Sequence, residues 1–237
     1  MNLSSSCKND PMSITRLLLV RHGATTATQE DRFSGSSGAE LSEQGRWQAE
    51  RLGERLSPLD ITAIYSSPLS RALDTARIVA GHCRLEPVTR DGLQEIGHGH
   101  WEGMKREDVE REFGAEYAAW EEDPFTFAPQ GGESGVAVLA RALPTLRDIV
   151  TAHAGERILV VSHKATIRLV LSSLLGFDAR GYRDRLDQDP ACLNVLDFRD
   201  SVRVRLILFN DTSHYTTQMP FTQQSLSKWW DRTDVKS

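Results

Sequence analysis

Two short, wholly apolar runs organise this chain, Leu17 to Val20 and Ile158 to Val161. Each stops at a polar turn, Arg21-His22-Gly23 after the first and Ser162-His163 after the second. Apolar runs without polar alternation predict strands buried on both faces, the habit of central parallel strands. Ile61 to Tyr65 alternates and ends at Ser66-Ser67-Pro68, which predicts a third strand. Leu85 to Val88 predicts a short fourth. Leu193 to Phe198 and Val202 to Phe209 predict two more, joined by the turn Arg199-Asp200-Ser201.

Between the strands, apolar positions recur at helical spacing. Gly45, Ala49, Leu52 and Leu56 are spaced 4, 3, 4, behind Ser42 as N-cap. Leu69, Ala72, Leu73, Ala76, Val79 and Ala80 predict a helix directly after Ser66-Ser67-Pro68, with Ser67 as its cap. Val136, Leu139, Leu143, Leu146 and Val150 are spaced 3, 4, 3, 4. Ile167, Val170, Leu171, Leu174 and Leu175 predict a helix that Gly176 stops. The connection from Asp91 to Glu133 predicts one helix near Arg106 to Trp120, with Val109, Phe113, Tyr117 and Trp120 on one side.

This alternation predicts an α/β fold, a three-layer α/β/α sandwich around a mostly parallel central sheet. Residues 1–15 read as a disordered lead-in. Residues 16–215 form the domain, with a cap-like insertion over about 91–133, and 216–237 form a polar tail that Trp229 and Trp230 could dock. Ligands of such sheets bind beyond the carboxyl ends of the strands. The turns at His22, Ser67 and His163 are therefore expected to converge on one pocket.

Composition narrows the classes. The 237 residues are 39% hydrophobic and 26% charged, a globular balance. A net charge of -5 argues against a nucleic-acid or acidic-membrane partner. Cys7, Cys83 and Cys192 are dispersed and odd in number, which argues against a disulfide scaffold or zinc site and suits a cytoplasmic protein. No apolar run is long enough to span a membrane, and the polar start lacks the apolar core of a signal peptide.

The reactive residues suit phosphoryl transfer. A neutral imidazole can take the phosphoryl group covalently and split one hard step into two. The charge on the transferring oxygens needs fixed donors, and guanidinium groups supply them in a permanently charged fork. His22 is the candidate nucleophile, with Arg21, Arg71 and His163 as donors. Glu95 is the candidate that protonates the leaving group and then activates water.

The segments LLLVRHGAT, LSEQGRWQAERLGERL, IYSSPLSRALDTARIVA, LQEIGHGHWEGM, GGES and ILVVSHKATIRLVL resemble, in order and spacing, the histidine phosphatase superfamily, the phosphoglycerate mutase-like group. The resemblance runs from about Leu17 to Gly176. It implies a histidine acid phosphatase-type phosphomonoesterase needing neither metal nor cofactor. His22 would be phosphorylated, Arg21, Arg71 and His163 would complete the phosphate pocket, and Glu95 would be the proton donor. The partner would be a small phosphorylated metabolite; a homodimer is left open.

Departures from the family pattern mark the candidate substrate-binding residues. Thr28 stands where many members have Asn, and Ser34-Gly35 ends a segment that often reads RxQG. Lys164 stands where glycine is frequent. His98, in Glu95-Ile96-Gly97-His98-Gly99-His100-Trp101, resembles the metal-independent phosphoserine phosphatases and lacks the ERHYG-like stretch of the mutases. That favours phosphoserine or another carboxylated phosphomonoester, with His98 facing the carboxylate. A cofactor-dependent phosphoglycerate mutase and an α-ribazole phosphatase-like enzyme are the alternatives.

Other motifs read more simply. His98 and His100, two apart, have only Glu102 as a third ligand, short of a structural zinc set. Asp184, Asp187 and Asp189 lack the Gly and terminal Glu of a calcium loop and read as a charged turn. Gly131-Gly132-Glu133-Ser134 reads as a turn and cap that could touch substrate, and His214 as an exposed loop residue.

Overall fold

The computed structural model describes residues 13–26, 32–35 and 38–216. Thr28, most of the expected lead-in, and the tail from 217 with Trp229 and Trp230 lie outside the described residues. The described elements run β1 (Thr15–Arg21), α1 (Glu43–Leu56), β2 (Ala63–Ser66), α2 (Ser70–Cys83), β3 (Pro87–Thr89), α3 (Arg106–Glu112) and α4 (Gly114–Glu122). They continue with α5 (Gly135–Ala152), β4 (Arg157–Ser162), α6 (Lys164–Leu175), α7 (Tyr182–Arg185), β5 (Leu193–Phe198) and β6 (Val204–Asp211).

The strands form one sheet in the order β3-β2-β4-β1-β5-β6. The first four are mutually parallel, and β5 and β6 join antiparallel. The expected mostly parallel sheet is thus a mixed sheet with an antiparallel hairpin on one side. β1 and β4 are its centre, with Leu17 opposite Ile158 and Arg21 opposite Ser162.

Alternation along β1 explains why its run is apolar throughout. Leu17 and Leu19 face Val138, Ala142 and Leu146 of α5 and Ile167 and Val170 of α6. Leu18 and Val20 face Leu52 and Leu56 of α1 and Ala72, Ala76 and Val79 of α2. Both faces are covered from Leu17 to Val20, so none of these four positions can be polar without loss. Each buried Leu or Val contributes about 1.5–3 kcal/mol.

Local signals set the helix ends. Ser42 Oγ accepts from Gly45 N at 3.1 Å, the expected cap. Gly176 closes α6 with φ 74, a left-handed conformation that glycine adopts without cost. The helix expected over Arg106 to Trp120 is two helices instead. Phe113 leaves helical geometry at φ -124 and ψ 38 and Gly114 follows, a poor helix former. Periodicity hid the break because Val109, Tyr117 and Trp120 still share a side. With Phe33 and Trp101 they form a third apolar cluster of their own. Phe33 reaches it by pairing with the insertion, its N–H on Met104 O at 3.0 Å and its carbonyl taking Gly103 N at 2.7 Å. Among the described residues, no helix is long and apolar enough to cross a membrane.

Candidate active site

The parallel register brings three strand ends level. The ladder continues one step past each strand, with His22 N donating to Ser162 O at 3.0 Å and Ser67 N to Val161 O at 3.0 Å. The His22 and His163 rings consequently face each other, centroids 5.1 Å apart and tilted by 59°. The turn after His22 is pinned from below. Gly23 N donates to Thr75 Oγ1, whose hydroxyl donates to Arg71 O, and Ala24 N donates to Gln48 Oε1. Gly45 is required here for close approach, since a Cβ on it would fall against the Ala24 carbonyl.

Arg21, His22, Arg71 and His163 are all at most 7% exposed and form one buried, basic group. His22 Nδ1 lies 2.7 Å from Gly23 O, which can only accept. The neutral ring therefore carries its proton on Nδ1 and its lone pair on Nε2. Burial, then Arg21 and Arg71, hold the His22 pKa well below the ordinary range. His163 is lowered in the same way, by burial and then by Arg71 and His22. Its Nε2 is 2.7 Å from Ser67 Oγ, while its buried Nδ1 has no hydrogen-bond partner among the described residues. With the Ser67 hydroxyl donating to Nε2, Nδ1–H is left for a ligand oxygen. Ser67 therefore does not cap α2 as expected. The cap position is Leu69, and Ser67 orients the second histidine.

The two guanidinium groups are fixed through main-chain carbonyls. Arg21 Nη1 donates to Gln188 O at 2.6 Å, and Arg71 Nη2 to Gly35 O at 2.6 Å. Behind Gln188 is a buried amide network. Gln188 and Asn194 bond each other at 2.7 and 2.9 Å, and Asn194 Nδ2 holds Leu19 O at 3.0 Å. Sequence reasoning missed this network, although an Asn inside the apolar run LNVL of β5 was the available signal.

Glu95 lies at the N-terminus of α6. Its Oε1 accepts from Ile96 N, Thr166 N and Thr166 Oγ1, and its Oε2 from Ala165 N, all at 3.0–3.2 Å. The carboxylate thereby satisfies end-of-helix donors and sits in the field of the helix dipole. Burial lowers the Arg71 pKa, Glu95 raises it, Arg21 lowers it and Glu102 raises it, so both carboxylates reach this guanidinium electrostatically.

The substrate-side candidates divide. Gly35 is buried against the Glu102 carboxylate and His98 N, where a Cβ would require the Glu102 side chain to move, and Ser34 beside it is half-buried. The His98 ring packs edge-on to Phe33 at 4.8 Å, with Trp120 at 6.1 Å. Burial pushes its pKa down to about 4, so at neutral pH it offers a hydrogen bond and no charge. Lys164 Nζ pairs with Asp187 at 2.9 Å, and burial, helped by Arg168 and Arg21, lowers it to about 8.

Several simpler readings change. Gly99, at φ 54, turns the chain between His98 and His100. His100 stacks on Phe113 at 4.5 Å and meets Glu116 at 2.8 Å. His214 is half-buried against Tyr215 rather than exposed, and burial lowers it to about 4. Asp187 is no idle surface charge, since it accepts from both Lys164 and Arg168. Glu133 is a clamp, its two oxygens held by Nε and Nη2 of Arg141.

The buried histidines predict an acid-side loss of stability. In the unfolded chain His98 protonates near its ordinary 6.5, in the fold only near about 4. The unfolded state therefore binds more protons as pH falls below 6.5, and stability falls with it; above pH 7 the effect vanishes. The His98 share reaches roughly 2 kcal/mol at pH 5. Urea melts at pH 7.5 and 5.0 in phosphate-free buffer should show His98→Gln losing less stability than wild type by about that amount. Equal losses would refute the buried neutral ring.

The family model described as histidine phosphatase superfamily (branch 1) matches residues 17–212. Phosphoserine phosphatase 1 of Hydrogenobacter thermophilus is 36% identical over 201 residues, 85% of this chain and 94% of that protein. Glucosyl-3-phosphoglycerate phosphatase of Mycolicibacterium vanbaalenii is 35% identical over 173 residues, 70% of this chain and 76% of that protein. The solved structure of Bacillus stearothermophilus YhfR superposes with a TM-score of 0.79 at 32% identity, covering 84% of this chain and 98% of that one.

Proposed function

Because this chain belongs to the histidine phosphatase superfamily, a family of phosphomonoester hydrolases here, we propose that it cleaves a small carboxylated phosphomonoester through a phosphohistidine on His22. The observation that carries the reading is the hydrogen bond from His22 Nδ1 to Gly23 O, which leaves Nε2 as a lone pair beside Arg21, Arg71 and His163.

The chemistry follows in two halves. Nε2 attacks phosphorus as the P–O bond to the leaving group breaks, and Glu95 gives its proton to the departing oxygen. Water then attacks the phosphorus of the N–P adduct, Glu95 takes a proton from it, and phosphate leaves with His22 restored. Arg21, Arg71 and His163 Nδ1 face the charge on the phosphoryl oxygens throughout. Because these groups supply the positive charge, the reading is metal-independent, and it suits a cytoplasmic metabolite.

Two relatives support a carboxylated substrate, since phosphoserine and a phosphoglycerate unit both carry one. The neutral His98 ring, with Nδ1 buried and unpartnered among the described residues, has a hydrogen bond to give such a group. The test compares phosphoserine with phosphoethanolamine, the same ester without its carboxylate, each with and without a chelator. Phosphoserine should be favoured in kcat/KM by about tenfold or more, about 1.4 kcal/mol, and His98→Ala should erase that preference through KM. Chelator should change nothing. No preference in the wild type removes the substrate class, and loss on chelation restored by a metal removes metal independence.

A further inference from the structure

The loop that carries Glu95 is held by one buried-facing cation from a neighbouring helix. Arg141 projects from α5 and spends all five of its N–H donors. Nη1 donates to Gly92 O at 3.1 Å and Gln94 O at 2.8 Å, and Nη2 donates to Glu95 O at 3.0 Å. Nε and Nη2 grip the two oxygens of Glu133 at 2.8 and 2.7 Å. Glu133 passes the constraint on, its Oε2 accepting Gly97 N at 3.0 Å and its own N–H donating to Gly97 O at 2.8 Å. Burial opposes the Glu133 charge, yet the Arg141 fork and Gly97 N–H outweigh it and hold the carboxyl below its ordinary range.

Every carbonyl from Gly92 to Glu95 is tied, and Arg141 ties three of the four; Leu93 O goes to Ser162 Oγ at 2.8 Å. The loop lies so close on α5 that a Cβ at Gly92 would sit 2.7 Å from the Arg141 carbonyl. The Glu95 carboxylate is itself held by Ile96 N, Ala165 N and Thr166, so what Arg141 fixes is the main chain from which that carboxylate reaches α6. This is more wiring than a stabilising surface pair needs, and all of it converges on the residue that must meet the leaving group.

We propose that Arg141, locked by Glu133, is the positioning residue of the acid, setting where the Glu95 carboxyl stands relative to the leaving oxygen. The inference rests on the reading of Glu95 as proton donor. Arg141 touches no substrate in this scheme and acts only through the main chain of residues 92–97. Lysine cannot replace it, having three donors and no planar fork.

The test uses phenyl phosphates graded in leaving-group acidity, none of which carries a carboxylate for His98 to read. Arg141→Lys should behave as a muted Glu95→Gln. It should lose about 100-fold on unsubstituted phenyl phosphate, the cost of an ångström-scale misplacement, and less than about threefold on the dinitrophenyl ester. The Glu95→Gln/Arg141→Lys double variant should lose no more than Glu95→Gln alone, since both act on one step. Glu133→Gln, which keeps one oxygen in the fork, gives the same pattern in weaker form should Arg141→Lys fold poorly. Uniform losses along the series, or additive losses in the double variant, overturn the positioning role while Glu95→Gln still discriminates. If Glu95→Gln itself does not discriminate, the acid assignment falls and this inference falls with it.

Discussion

Replacing His22 with Ala is expected to remove at least about 10⁴-fold of turnover, the scale seen when a covalent nucleophile is deleted. The fold should survive. The lost ring is buried, so a cavity cost of about 1–3 kcal/mol is expected. Its side chain bonds Gly23 O, within the same turn, while Thr75 and the Ser162 carbonyl continue to hold the main chain. Arg21, Arg71 and His163 remain, so the variant should still bind inorganic phosphate and be stabilised by it in a thermal melt. In the wild type, rapid mixing with labelled substrate and a basic quench should trap a phosphoenzyme that is base-stable and acid-labile. The phosphoryl group should sit on Nε2, since Nδ1 is occupied. An acid-stable adduct would indicate a serine or threonine ester and would end the phosphohistidine reading. A melted, phosphate-blind variant would make Ala unusable, and His22→Asn would take its place.

Much of this site was legible in the sequence because strands write their ends plainly. The apolar runs before His22 and His163 stop where the sheet stops, and parallel register does the rest. The α/β class followed from the same alternation. What stayed hidden was set by chain reversals and by contacts distant in sequence. Ser67 looked like a cap because a helix follows it, yet besides Leu69 N its hydroxyl meets His163, 96 residues away. The break at Phe113 was invisible because apolar spacing carries across it. His98 and His100 take different ring partners, Phe33 and Phe113, on either side of a positive φ at Gly99. Arg141 carries no signal in the sequence, because its partners lie in a loop 46–49 residues earlier. Periodicity reports which face of an element is buried; it does not report which carbonyls a side chain will find.

Glu95→Gln carries the second large effect, and its value lies in being uneven. A missing general acid costs about 10²–10⁴-fold when the leaving oxygen is basic and must be protonated as it departs. It costs little when the leaving group is a dinitrophenolate, stable as an anion. The structure adds a complication, because Glu95 also receives Ala165 N, Thr166 N and the Thr166 hydroxyl at the start of α6. The Gln amide keeps one accepting oxygen and turns a donor toward the other N–H groups, so α6 should lose about 1 kcal/mol of capping. That loss shifts the melting temperature and acts equally on all substrates, whereas loss of the acid tilts the leaving-group series. The slope therefore isolates chemistry from scaffold. If the series drops uniformly, Glu95 is a helix cap and no more. Glu102, whose carboxylate packs against Gly35 and reaches Arg71 electrostatically, then becomes the group to replace next. A slope that steepens with Glu95→Gln and stays flat with Glu102→Gln assigns the proton to Glu95 and leaves Glu102 to shape the pocket wall.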